Sequence, residues 1–247
     1  MKARIALPIA IALVVLGLLG WSNPEVVDSL FEEVRDNASS DEDAKIIGVQ
    51  TQEKWLVIVT DFDDSPSQSG RDVLQAKGLL DGENGAQGYL EQMTGGMSSL
   101  EITYVEEVIR ATYDSSDYGH DQDGDRDVGI IEGGPAILAE QVISEAAHSV
   151  DWEEFDLDGD GSIDRLLILH TARPQEDGSG PSSRIWSHFG PLVDPVSVSG
   201  GLKVHHYTMA SLRSSNYRGT MIHEMLHQIG AVDLYAVHDE TVSQSWF

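Results

Sequence analysis

The chain has 247 residues, no cysteine, and 42 acidic against 15 basic side chains, for a formal charge of −27. That balance argues against nucleic acids and anionic lipid surfaces as partners, because both reward Lys and Arg. The lack of cysteine excludes disulfides, thiol nucleophiles and thiolate metal sites, so any metal must be held by His, Asp, Glu or carbonyl oxygen.

In chain order, Lys2 and Arg4 precede an uncharged run from Ile5 to Trp21. A basic start followed by an apolar stretch is the pattern of an export signal. No Ala-x-Ala box follows, so residues 1–22 are expected to be a signal peptide or an uncleaved N-terminal anchor. The anchor is the only membrane contact expected. The protein is then secreted or held at the extracytoplasmic surface. Residues 23–44 are polar and acidic and read as a flexible linker.

Trp55-Leu-Val-Ile-Val-Thr60 is a β-branched apolar run bounded by acids, which predicts a buried strand. Gly88–Met93 predicts a helix, and Ser99–Val105 alternates like a half-buried strand. Pro135 suits the first turn of a helix over Ala136–Val150. Arg165–Thr171 and Leu202–Met209 predict two further strands. Strands alternating with helices imply an α/β mixed (α+β) fold, a mixed twisted sheet with covering helices.

Near the C-terminus stands His223-Glu-Met-Leu-His227, an HExxH, extended by Gly230 and Asp233 to HExxHxxGxxD. HExxH alone should arise by chance in roughly 2% of chains of this composition; the two added matches lower that to roughly 0.02%. On an active-site helix, Ile222, Leu226 and Ile229 form one apolar stripe while His223 and His227 lie together about 120° away. Gly230 suits a left-handed helix end that swings Asp233 back toward the imidazoles. Two imidazoles and a carboxylate suit one zinc ion with a fourth position for water. Glu224 is placed to act as general base on that water. His238, Asp239 and Glu240 stand close enough to replace Asp233 as third ligand.

Asp156-Leu-Asp158-Gly-Asp160-Gly-Ser162-Ile-Asp164 carries oxygen ligands at positions 1, 3, 5 and 9 of an EF-hand-like loop, with Gly161 at the sharp turn. Position 12 is Leu167 and the exiting segment is a strand, so the expectation is a structural calcium loop outside a true EF-hand. Asp121, Asp123, Asp125 and Asp127, with Glu132 at position 12, repeat the spacing more loosely, since Arg126 occupies the glycine position. Asp114 to Asp164 holds 16 acids and one base. Such a run self-repels unless cations neutralise it. The isolated His188, His205 and His206 are read as structural or cleft-lining, not as ligands.

Several of these stretches together resemble the secreted zinc metallopeptidases of the immune inhibitor A family (peptidase family M6). They are Val57–Asp64, Tyr89–Gly96 with Leu100-Glu-Ile102, Phe155–Asp164, Ile168-Leu-His170, Ile185-Trp-Ser-His188 and His223–Tyr235. The resemblance implies a zincin/metzincin-like catalytic domain over residues 45–247, binding one zinc and calcium and cleaving protein or peptide substrates. By position it implies His223, His227 and Asp233 as ligands and Glu224 as general base. It also implies a methionine turn after the motif. The last methionine is Met225 and only 12 residues follow Tyr235, so the C-terminal part of the domain is expected to be missing. The alternatives are a calcium-dependent extracellular binding or adhesion module with an inactive protease-like fold, and a zinc amidohydrolase acting on non-peptide amides.

Overall fold

A computed structural model describes residues 45–68, 70–178 and 180–233. The expected signal or anchor and the linker lie outside the described residues, as do His238, Asp239 and Glu240. All described residues fall within one unit, Ala44–Phe247. Among them no helix is long and apolar enough to cross a membrane.

The first strand, β1 (Gln52–Asp61), is buried on both faces for most of its length. Trp55, Val57 and Val59 point to one face of the sheet, and Leu56 and Ile58 to the other. A strand so flanked reads as a continuous apolar run, as its sequence does. β1 pairs in parallel with β2 (Ser99–Tyr104) and, on its other edge, with β4 (Leu166–His170). The two-residue β3 (Ile109–Arg110) continues the β2 side, opposite Thr60 and Asp61. β6 (Lys203–Ser211) adds in parallel to β4, and β5 (His188–Ser197) closes that side antiparallel to β6. The order is β2-β1-β4-β6-β5. The sheet is therefore mixed, as expected, with one antiparallel edge.

Helices cover both faces. On one, α4 (Gly134–Ala146) lays Leu138, Val142 and Ile143, with Trp152 and Phe155, over Leu56, Ile58, Ile168 and Met209. On the other, α1 (Arg71–Leu80) and α5 (Tyr217–Gln228) cover Val57, Val59, Leu167, Leu169 and Ala210 with Val73, Ala76, Leu80, Met221 and Met225. The short helices α2 (Ala86–Met93) and α3 (Ser115–Tyr118) complete the set.

The described elements depart from the sequence reading at β3, β5, α1, α3 and the end of α4. β5 has no counterpart in it, because Gly190, Pro191 and Pro195 disguise the strand; a sheet edge tolerates proline, whose missing N–H then faces no partner. α1 is also additional. α4 ends at Ala146, four residues before the expected Val150.

Candidate metal centre

α5 runs from Tyr217 to Gln228 and its deepest face is Met221, Glu224, Met225 and Gln228. The expected stripe of Ile222, Leu226 and Ile229 is half-buried and packs toward α2, beside Tyr89 and Leu90. This seating leaves His223 and His227 on a flank that opens to a cleft. The helix ends where Gly230 takes φ +92°, a conformation that favours glycine. Two bonds fix the reversal: Gly230 N–H donates to His227 O at 3.0 Å and Ala231 N–H to Leu226 O at 3.0 Å.

The reversal brings Asp233 over the helix. Its Oδ1 lies 3.2 Å from His223 Nε2 and 3.4 Å from His227 Nε2, and the two Nε2 atoms are 3.2 Å apart. Ligand atoms about 2.0–2.1 Å from a tetrahedral zinc are separated by about 3.3–3.4 Å, so the triangle fits that ion. The protonation pattern agrees. His227 Nδ1 faces the carbonyl of Ala231 at 2.9 Å, which fixes its proton there and leaves a lone pair on Nε2. Asp233 Oδ1 is buried without a hydrogen-bond donor. Two imidazole nitrogens and a carboxylate oxygen gathered this closely are a donor set that could hold a metal ion.

Glu224 is adjacent in sequence yet turned inward, 8% exposed, toward the start of β5. Burial, then the charges of Asp233 and Glu176, push its carboxyl up to about 8, against a smaller opposing pull from the Phe189 backbone. Glu176 reaches this neighbourhood by accepting hydrogen bonds from Ser187 N–H at 3.2 Å and Ser187 Oγ at 2.5 Å. The opposite wall of the cleft, about 450 Å³ in volume, is Trp186–Phe189. His188 is a wall residue and not a ligand: its Nδ1 faces Trp186 O at 2.7 Å and its Nε2 faces the Tyr207 hydroxyl at 2.8 Å. Trp55 and Trp152 are core residues.

The acidic loop is partly assembled. Carboxylate oxygens of Asp156, Asp158 and Asp164 lie within 4.8 Å of one another. Asp160 stands apart from that trio, its Oδ1 accepting Ser162 N–H at 2.8 Å. Gly161 at φ +91° makes the sharp turn, with its N–H donating to Asp156 Oδ2 at 3.0 Å. Burial first, with Asp158 and Asp160 adding, raises the Asp164 carboxyl to about 6. The looser loop does not gather in this way: no trio of Asp121, Asp123, Asp125, Asp127 and Glu132 comes together. Asp121 instead accepts from Asp127 N–H and Gln175 Nε2, and both Asp127 oxygens accept from Trp186 N–H. Asp127 thereby braces Trp186 in the cleft wall, and Asp121 in turn holds the Asp127 backbone.

Sequence reasoning missed the Ala231 carbonyl and Glu176, while its reading of His188 as cleft-lining matches the wall. A backbone carbonyl leaves no mark in residue type, and Glu176 is one acid among 42.

The catalytic-domain family described as immune inhibitor A peptidase M6 matches residues 74–246. An aligned stretch of 195 residues is 26% identical to Immune inhibitor A of Bacillus thuringiensis subsp. alesti, covering 64% of this chain and 27% of that relative. The chain thus spans about a quarter of the relative's length. With two thirds of its length matched and the family's HExxHxxGxxD folded into a single donor triangle, the chain belongs to the immune inhibitor A family of M6 peptidases.

Proposed function

We propose that this chain forms the catalytic part of a secreted zinc-dependent endopeptidase. The observation that carries the reading is the triangle of His223 Nε2, His227 Nε2 and Asp233 Oδ1, with separations of 3.2–3.4 Å, beside the buried Glu224. When bound, zinc supplies a Lewis acid that polarises a carbonyl and acidifies water. Glu224 takes a proton from the attacking water on its carboxylate and returns it to the leaving nitrogen. A carboxyl held near pH 8 by burial is poised for that exchange, and the neighbouring cation would bring it down toward neutrality. His227 is kept in the ligating tautomer by the Ala231 carbonyl.

The substrate is a peptide in extended form. β5 pairs with β6 on one edge, and its first residues wall the cleft, so an added strand could lie along the other edge past Glu224. Calcium in the Asp156–Asp158–Asp164 trio, with Asp160 and Ser162 at the rim, neutralises the loop that precedes β4. Export rests on Lys2, Arg4 and the uncharged run that follows them.

The test compares wild type with Glu224→Ala after zinc loading. The variant should keep zinc and lose casein cleavage. Cleavage retained by Glu224→Ala removes the general base from the account, and cleavage of small amides but not of casein points to a non-peptide amidohydrolase.

A further inference from the structure

Arg165 is fully buried at the start of β4, directly after the acidic loop. Its guanidinium donates to both oxygens of Glu53, from Nε at 2.7 Å and from Nη2 at 3.2 Å. Nη2 also reaches the carbonyls of Ile47 and Gly48 at 3.2 and 3.1 Å. Nη1 reaches Asp164 O at 3.1 Å and Gln228 O at 3.0 Å. Gln228 is the last residue of α5 and the neighbour of His227. An α-helix leaves its final carbonyls without internal donors, and here the guanidinium meets one of them.

The Gln228 side chain is held as well. Its Oε1 accepts from Leu166 N–H of β4 at 3.2 Å and from the Thr208 hydroxyl of β6 at 3.1 Å, and its Nε2 donates to His206 Nδ1 at 3.0 Å. One helical turn is thus tied to two central strands through both its backbone and its side chain. That turn carries His227 and leads into the reversal that supplies the Ala231 carbonyl and Asp233.

We propose that Arg165 and Gln228 are positioning residues for the metal centre, clamping the last turn of α5 so that the three ligand atoms are gathered before the ion arrives. The inference rests on the zinc reading above. The three side-chain atoms lie within 3.4 Å of one another, and that spacing depends on where the last turn of α5 and the reversal after it are held. A site held in this way saves the ion the ordering cost of assembling its ligands. A purely structural hub would affect stability while leaving the zinc affinity of the folded protein unchanged.

The experiment measures zinc dissociation constants on the full chain by competition with a chromophoric chelator, for wild type, Arg165→Lys, Gln228→Met, Thr208→Val and Ile143→Ala. Ile143 is a core residue of α4, on the sheet face away from α5, and serves as the destabilised control. Gln228→Met should weaken zinc about 10- to 100-fold, in the range of other outer-sphere losses, and Thr208→Val a few-fold. Ile143→Ala should lower the melting temperature and stay within about two-fold of wild type in zinc affinity. Amide exchange at Gly230 and Ala231 should quicken in Gln228→Met without any metal present. If Arg165→Lys or Gln228→Met fails to fold, the near-isosteric Thr208→Val decides. Zinc affinity within two-fold of wild type in every folded clamp variant, with unchanged exchange at Gly230 and Ala231, overturns the clamp. Wild type that binds no zinc overturns the proposed function instead, while the exchange rates still report on the clamp.

Discussion

Replacing Glu224 by Gln should abolish catalysis and stabilise the metal-free fold, with a gain that depends on pH. Burial, followed by Asp233 and Glu176, moves the Glu224 carboxyl from 4.5 to about 8 in the folded state. Because the folded value is raised, the wild type has its full stability from this group below about pH 4.5 and loses it as the pH climbs to about 8. At about 1.36 kcal/mol for each pH unit, that interval corresponds to a ceiling of about 4–5 kcal/mol. Water in the open cleft beside Glu224 lowers the expected figure to about 3 kcal/mol. Gln has no proton to lose over this range and can still accept from the Phe189 backbone. Urea denaturation of chelator-treated wild type and Glu224→Gln therefore should give curves within about 1 kcal/mol at pH 5 and separated by about 3 kcal/mol at pH 8.5. Casein cleavage by the zinc-loaded variant should fall at least about 100-fold. Equal stability differences at the two pH values would mean that the gain owes nothing to ionisation of Glu224.

Acid should weaken the fold through a different group. Burial, then the charge of Arg165, lowers the His206 ring to about 4, so its contribution is complete above about pH 6.5 and is lost as the pH falls toward 4. His206→Asn should flatten the decline between pH 6.5 and 4 by up to about 3 kcal/mol; an unchanged slope in urea titrations contradicts this. Gly230→Ala meets no atom within 4 Å, so its cost is the φ of +92° alone. About 1–2 kcal/mol of stability and a measurable loss of zinc affinity are expected, and a variant with both unchanged would mean that the turn does not set Asp233. Calcium at about one hundred times its dissociation constant should stabilise wild type by about 2.7 kcal/mol. The same addition should leave Asp156→Ala unmoved in thermal denaturation, and an equal response from both proteins removes the loop as the site.

Features whose cause is local could be read in the sequence. Val57-Ile-Val and Leu166-Leu-Ile-Leu announce central parallel strands because both of their faces are covered, which leaves only apolar residues. The HExxH with Gly230 and Asp233 brings two imidazoles and a carboxylate together because helix pitch and one left-handed residue determine their directions. What stayed hidden depends on distant partners. β5 carries two prolines that an interior strand would reject, and only its place at the sheet edge permits them. Arg165 looked like an ordinary strand residue, yet it joins segments more than 100 residues apart. The acidic spacing at Asp121–Asp127 matches the calcium pattern as well as its partner loop does at those positions. Asp121 and Asp127 of that loop accept from Gln175, Trp186 and a backbone N–H, contacts the spacing does not reveal.

If His223, His227 and Asp233 hold a zinc ion with which this chain cleaves peptide bonds, metal and activity should depend on the same side chains. Metal content by mass spectrometry on wild type and His223→Ala, paired with casein digestion, tests it most directly. About one zinc per chain and cleavage are expected in wild type, with both lost in His223→Ala. Wild type that takes up no zinc, or His223→Ala that retains it in full, would rule out the proposed zinc site.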